Sequence, residues 1–512
     1  MRHDLFLFKK RLHAIIFILC LFFLFMPLKL SGQSLSGDRL SEVKDQSLNE
    51  SESRVSYQNI LKQSGKEYLW FNRNGLTLSG RTLHWLLADL GWHQTLNINA
   101  LAKEHYRLHD RLLSNGFLVL LTADNQKNSS PDSLPDMELR LIQAVKSDAT
   151  EALLFSLIPE YEQINQLRKA ISHYRLLSVS PWPTLDPNFR PKLGQSHPKV
   201  AGIRDILRRL GYLARKAQQK YRRDIFDSVA IDALKKFQRN HGLAADGELG
   251  GQTYMALQVT PEQRIKQLQV NLWRWFSLPN HPPEKYVVVN IPSYQLAVIE
   301  GGMPVLAMKV IVGNSKNPTP QLLTEINRLT LNPSWTPTLN IIKNELIPEY
   351  QSDFLSLKRR NFQLLTGYWE NIQRREIDQP EMNLQQLLQS YRLVQAPGAN
   401  NALGYYRFNI PNTESIYLHD TPLKSLFKQR FRALSHGCVR LENASLLAKY
   451  LLTFEGEQNE NKMFSAIQSG KTTHIQLTNP LPVYITYQTA WIDSQGELRW
   501  SADIYSLDNK MM

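Results

Sequence analysis

At 512 residues the chain is longer than one hydrophobic core usually serves, so roughly two to four domains are expected. An apolar content of 42% and a charged content of 21% exclude a largely disordered or fibrous chain. The net charge of +14 favours anionic surroundings such as cell-wall polymers or lipid headgroups; for nucleic acid, the usual alternative, the sequence holds no zinc spacing, helix-turn-helix or other recognition motif.

Lys9, Lys10 and Arg11 precede a run from Ala14 to Leu28 that is strongly apolar at every position but Pro27. That run has the length of an export-signal core and falls short of a confident membrane span. Residues 1–32 read as a signal peptide cut near Ser31 or Gly32, or as a signal anchor kept in the inner membrane. Both readings place the remainder outside the cytoplasm, in the periplasm, because the basic cluster stays inside. The cysteines are Cys20, within the signal, and Cys438. A lone exported thiol has no internal disulfide partner, so its retention points to deep burial or to chemistry.

Residues 33–55, rich in Ser, Asp, Glu and Gln, read as a flexible tether. Helical periodicity then runs over 56–190, clearest at Arg81–Leu90 and Glu160–Ile171, and predicts a helical domain that closes in a proline-bearing linker. Over 197–260 three helices are expected, with Gly211 and Gly242 as C-cap glycines and Asp246-Gly247 as a turn. The landmarks Phe237-Gln238, Gly242-Leu243, Asp246-Gly247 and Gly250-Gly251-Gln252-Thr253 resemble the small peptidoglycan-binding module. Wall binding is what that resemblance implies; on their own, the same residues serve equally well as scaffold.

From Lys285 the pattern turns to strands rich in β-branched residues, at Tyr286–Ile291, Gln295–Ile299 and Met308–Val312, with further strands expected at Arg328–Leu331, Gly404–Ile410, Ser415–Leu418 and Val483–Gln488. A charged, helix-patterned insertion at about 338–402 is too long for a connecting loop and reads as functional. It includes Lys343, Tyr350, Tyr368, Trp369 and Tyr391. The expected fold is α+β and multidomain: a helical N-terminal domain, the three-helix module, a mixed but mainly β domain over 284–490 with its helical insertion, and a tail from 491 to 512.

The chemistry concentrates in Ile416-Tyr-Leu-His419-Asp420-Thr-Pro422 and Ser435-His436-Gly437-Cys438-Val439-Arg440. A thiol acts as a nucleophile only as thiolate, so it needs a base beside it and donors for the developing oxyanion. His419, nineteen residues upstream of Cys438, is the candidate base. The amides of Gly437 and Cys438 are candidate oxyanion donors, and Gly437 permits close approach of a substrate. Asn443 fits the N-cap of a helix over Ala444–Leu452.

Ser435-His-Gly-Cys-Val-Arg440, with a histidine upstream, resembles the YkuD-type L,D-transpeptidase signature. Asn332-Pro-Ser-Trp335-Thr-Pro337, Gln395-Ala-Pro-Gly398 and Tyr417–Pro422 resemble the large, lid-bearing YcbB-like members. The resemblance implies that Cys438 attacks the carbonyl on the L-centre of the third-position diamino acid of a peptidoglycan stem and expels D-alanine. The thioester is then resolved by a second stem's amine, deprotonated by His419, to give a three-to-three crosslink. It implies acylation by carbapenems, a lid formed by the insertion, and no metal or cofactor. His436 either positions the thiolate or makes a structural bond within the turn. Arg440 either binds a carboxylate or braces the loop, with the resemblance favouring a place near the oxyanion. Asp420 stands where smaller members often have glycine; it, Ser435, Tyr417 and Trp335 are assigned to the substrate cleft. Water as acceptor would make a carboxypeptidase or endopeptidase, a protein lysine would make a lipoprotein-anchoring enzyme, and an inert Cys438 would leave a wall-binding scaffold. A generic cysteine protease or sortase does not fit the Ser435–Arg440 spacing.

Overall fold

The computed structural model describes residues 33–34, 50–92, 102–127, 133–214, 223–367, 371–377 and 383–510. The export signal with Cys20, and the insertion's Tyr368 and Trp369, lie outside the described residues. No helix among the described residues is long and apolar enough to cross a membrane.

The N-terminal region is helical, with α1 at Glu50–Ser64, α2 at Leu78–Asp89, α3 at Tyr106–Lys127, α4 at Leu134–Lys146, α5 at Thr150–Ser156 and α6 at Glu162–Ser178. The expected tether is correspondingly shorter, since α1 begins at Glu50, and Gln33–Ser34 pair with Leu322 and Leu323. The buried faces of these helices supply Leu83, Leu87, Phe117, Leu121, Leu141, Leu167 and Ile171 to one core.

The three-helix module is α7 Pro198–Arg209, α8 Ser228–Asn240 and α9 Gly251–Gln258. Gly211 and Gly242 sit one residue beyond the C-caps of α7 and α8 with φ of 80° and 63°, a conformation a Cβ penalises. Gln238, fully buried, ties the module's landmark residues together. Its Nε2 donates to Asp246 Oδ1 (2.7 Å), the Glu248 carbonyl (3.0 Å) and Thr253 Oγ1 (3.1 Å), and its Oε1 accepts from the Gly247 amide (2.8 Å). Those residues therefore build the scaffold.

Helix α10, Pro261–Phe276, opens with a Thr260/Gln263 capping box and packs its Trp273, Trp275 and Phe276 into the N-terminal core. It leads into a closed sheet. The strands are β1 Lys285–Asn290, β2 Gln295–Glu300, β3 Met303–Gly313, β4 Leu322–Leu331, β5 Tyr406–Asn409, β6 Leu418–His419, β7 Ala433–Ser435, β8 Val439–Leu441 and β9 Thr473–Thr486. Their order is β4-β5-β6-β8-β3-β2-β1-β9, and β9 returns to β4, while β7 pairs with β3. Side chains alternate along each strand, so one set fills the interior. Val287, Val298, Val310, Leu329, Phe408, Leu418, Val439 and Ile485 form that core, joined by Leu447 and Leu451 of α11, Ala444–Thr453. Asn443 holds the N-cap position of α11 as expected, but its side chain accepts from Ser445 Oγ instead of capping the helix.

The insertion between β4 and β5 has its own small core, including Ile342, Leu346, Tyr350, Leu357, Phe362, Leu364 and Leu393, under a three-stranded sheet of Phe362–Thr366, Gln373–Arg375 and Arg392–Gln395. The segment Ile342–Leu346 is a π-helical turn, a rare conformation. The expected tail is no tail. Ala490–Ile492 and Leu498–Trp500 form a hairpin, Trp500 is buried in the N-terminal core, and Asp508 forms a buried ion pair with Arg274 at 2.6 Å.

Candidate active site

The strand register explains how residues distant in sequence meet. Leu418 pairs with Val439 across the parallel β6/β8 ladder, and both point into the core. Tyr417 and His419 on one side of that pair, and Cys438 and Arg440 on the other, therefore share the outer face. His419 is opposite Arg440 on β8 and opposite Arg407 on β5. Cys438 is thus one strand over and two residues along from His419, a diagonal of about 7–8 Å between backbones that both side chains can span.

His419 is 5% exposed, and its Nδ1 lies 2.5 Å from the Asp420 carbonyl oxygen. That acceptor selects the Nδ1–H tautomer and leaves Nε2 as the basic nitrogen. Burial, helped by Arg440 and Arg407, pushes the imidazole pKa down to about 3, against the smaller opposing pull of the Asp420 carbonyl. The thiol of Cys438 is pushed up by burial and drawn back by neighbouring polar groups of Tyr417 and by the charges of Arg440 and Arg407. At neutral pH the resting pair is therefore thiol and neutral imidazole, not an ion pair. Among the described residues no hydrogen bond joins sulfur and ring; Tyr417, which bears on the thiol, packs its ring edge-on to His419 at 5.7 Å.

The nucleophile turn is braced from three sides. Ser435 Oγ donates to the Cys438 carbonyl (2.6 Å) and accepts from the Gly437 amide (3.2 Å). Thr319 Oγ1 donates to the Gly437 carbonyl (2.6 Å), and Tyr505 Oη accepts from the Thr319 amide (3.2 Å) while donating to the Gly313 carbonyl (2.5 Å). Gly437 has φ of 110°, and a Cβ there would meet Ile416 Cδ1 at 2.9 Å. No other residue fits without strain.

Two residues assigned to the cleft are corrected by these contacts. Ser435 is 1% exposed with its hydroxyl spent inside the turn, so it cannot reach a substrate. Asp420 is 7% exposed; its carboxylate accepts from Lys424 Nζ (2.6 Å) and the Tyr405 amide (3.0 Å), so it is a strut. A Cβ on Gly404 would fall 2.3 Å from that carboxylate. The Gly437 amide, expected as an oxyanion donor, is turned to Ser435 Oγ.

The insertion touches the site at two points. Glu345, in the π-helical turn, places Oε1 2.6 Å from His436 Nε2. Trp335, which bridges Gln395 and packs against the insertion's core, bears on the Tyr417 hydroxyl. Arg440 lies in the field of both Cys438 and Glu345, and burial lowers its pKa. Sequence reasoning passed over Glu345, Thr319, Tyr505 and Arg407. The guanidinium of Arg407 lies 4.7 Å from the centre of the Tyr417 ring. Among the described residues, no group of three or more His, Cys, Asp or Glu is arranged to hold a metal ion.

Comparison with known proteins fits this geometry. Residues 284–472 match the family of L,D-transpeptidase catalytic domains named YkuD, and residues 196–257 match a family of peptidoglycan-binding domains. A Haemophilus influenzae protein named as an L,D-transpeptidase is 33% identical over 274 residues, 52% of this chain and 54% of that protein, so the chain spans about half the length of this relative. Two solved structures also align, at TM-scores too low to bear on the site. They are an L,D-transpeptidase from Mycobacterium smegmatis (16% identity, 40% of this chain and 60% of that one, TM-score 0.19) and one from Xylanimonas cellulosilytica (15% identity, 60% and 99%, TM-score 0.17). This chain carries a YkuD L,D-transpeptidase catalytic domain behind a peptidoglycan-binding domain.

Proposed function

We propose that the chain is an exported acyltransferase that joins peptidoglycan stems three-to-three through a thioester on Cys438. The common outer face of Cys438, Tyr417 and His419, with the His419 ring fixed by the Asp420 carbonyl so that Nε2 is the base, is the observation that carries this reading. The thiol gives up its proton to His419 Nε2 as sulfur bonds to the carbonyl carbon of the third stem residue. The resulting oxyanion is met by the Cys438 amide and, nearby, by Arg440. The C–N bond then breaks, the imidazolium proton passes to the departing amine of D-alanine, and the thioester remains. The amine of a second stem attacks, gives its proton to His419, and expels sulfur, which recovers the proton.

The neutral resting pair suits this sequence, because His419 enters unprotonated. The insertion sits against the turn through Glu345 and Trp335, so as a lid it limits the water that competes with the amine. The domain at 196–257 would hold the glycan close, and the same thiol would take a carbapenem. Mass spectrometry of muropeptides made from purified tetrapeptide stems tests the acceptor. Three-to-three dimers are expected; tripeptide alone would make the enzyme a carboxypeptidase.

A further inference from the structure

Beside the nucleophile, the outer face carries three arginines that form no ion pair among the described residues. One row of side chains crosses five strands in register: Arg440 on β8, His419 on β6, Arg407 on β5, Thr330 on β4 and His474 on β9. Arg328 lies two residues from Thr330 on β4, opposite Asn409, and so shares this face. The Nε atoms of Arg328, Arg407 and Arg440 are each buried without a hydrogen-bond partner. None of the three forms an ion pair among the described residues, although Arg440 feels Glu345. Buried donors are nearly always satisfied, and a buried guanidinium N–H without an acceptor is costly. This is the signature of a site that waits for an anion.

Position narrows which anion. Arg440 is two residues from Cys438 and within the field of the thiol and of Glu345, which suits the oxyanion. Arg407 is farther along the row, past His419, with its guanidinium 4.7 Å over the Tyr417 ring and only a long 3.4 Å bond, from Nη2 to Asn409 Oδ1. Tyr417 lies beside Cys438 on the β6/β8 ladder, its carbonyl accepting from the Val439 amide (3.2 Å), so Arg407 stands about one side chain's width from the sulfur. Arg328 and Arg407 both bear on His474, which marks them as neighbours. One residue beyond a scissile carbonyl spans about 3.8 Å between α-carbons, the same scale.

We propose that Arg407, backed by Arg328, binds the free α-carboxylate at the C-terminus of the donor stem, so that the enzyme accepts only a stem in which the scissile bond is the last one. The proposal rests on the acyl-transfer reading above and adds what selects the donor. The guanidinium fork binds a carboxylate through two charge-assisted hydrogen bonds, and a carboxamide or a further residue at that place forfeits them.

Two synthetic tetrapeptide stems that differ only in a C-terminal carboxylate or carboxamide test this with the full chain, reading acylation of Cys438 by intact mass. The expected preference for the carboxylate is roughly 10- to 100-fold in kcat/KM. In Arg407→Gln that ratio falls to about twofold or less, while Arg407→Lys, which keeps charge but not the fork, retains part of it. Equal rates on both stems in the unaltered enzyme, or an unchanged ratio in Arg407→Gln, would overturn the proposal. A general electrostatic role on the thiol would slow both stems alike and leave the ratio intact. Binding of the two stems to Cys438→Ala separates the two readings. Arg407-dependent preference there, without acylation in the unaltered enzyme, would sink the transfer reading and keep the subsite; equal binding would sink the subsite.

Discussion

Glu345 Oε1 lies 2.6 Å from His436 Nε2, joining the π-helical turn of the insertion to the residue two positions before the nucleophile. The pair is partly solvated, at 51% and 30% side-chain exposure, so its worth is that of a surface contact, about 0.2–1 kcal/mol. It is therefore a latch that opens easily, as the proposed lid over two stems would need. Replacing Glu345 with Gln removes the charge and is expected to speed hydrogen exchange in Ile347–Ser352 by roughly two- to fivefold. Unchanged exchange would show that the insertion is held elsewhere.

The thiol's titration carries a second expectation. The Tyr417 backbone, Arg440, Arg407 and, least of these, the Tyr417 side chain lower a thiol pKa that burial has raised, so Tyr417→Phe, which keeps the backbone, moves it only a small step further up. Alkylation of Cys438 by iodoacetamide at pH 8 then slows by roughly twofold. Because His419 stays neutral down to about pH 3, the rate profile of the unaltered enzyme has no inflection near pH 6.5. An inflection there would show that the His419 imidazole takes up a proton at its ordinary pKa, contrary to the effect of its burial.

The turn residues make a third. Ser435→Ala leaves the Cys438 carbonyl and the Gly437 amide without their partner, a loss of about 1–3 kcal/mol that displaces the nucleophile. Transfer activity is expected to fall at least tenfold with substrate affinity little changed, since Ser435 is buried. A rise in KM with unaltered kcat would return Ser435 to the cleft. Gly437→Ala, at a φ of 110°, is expected to abolish activity.

The C-terminal segment is a structural part of the site. Trp500→Ala, which empties a position 3% exposed, is expected to cost about 3–5 kcal/mol, read as a lowered midpoint in denaturant. Tyr505→Phe removes only the hydroxyl that links Gly313 and Thr319 behind Gly437, and should lower kcat while shifting that midpoint by less than Trp500→Ala does. Stability loss in Tyr505→Phe without loss of kcat would contradict the brace.

Much of this was legible in the sequence. The Ser435–Arg440 motif and His419 mark the site because nucleophile and base lie close in the chain, on strands that pair directly. The β1 and β2 strands are found within a residue of expectation, since β-branched runs bounded by turn residues leave little choice. Arg407 and Arg328 were illegible because their place depends on the registers of β4, β5 and β6, which alternation alone does not fix. Ser435 and Asp420 were misread for a related reason: adjacency to a catalytic residue in sequence says nothing about which way a side chain turns. Residues 491–512 read in the sequence as a tail, whereas Trp500 and Asp508 find partners in helix α10, more than two hundred residues away.

Intact-mass analysis of the full chain incubated with a tetrapeptide stem tests the central claim most directly. The account predicts an adduct equal to the stem less D-alanine, carried by the peptide containing Cys438 and absent from both Cys438→Ala and His419→Ala. An adduct on any other residue, or an adduct that forms as fast in His419→Ala as in the unaltered chain, would contradict it.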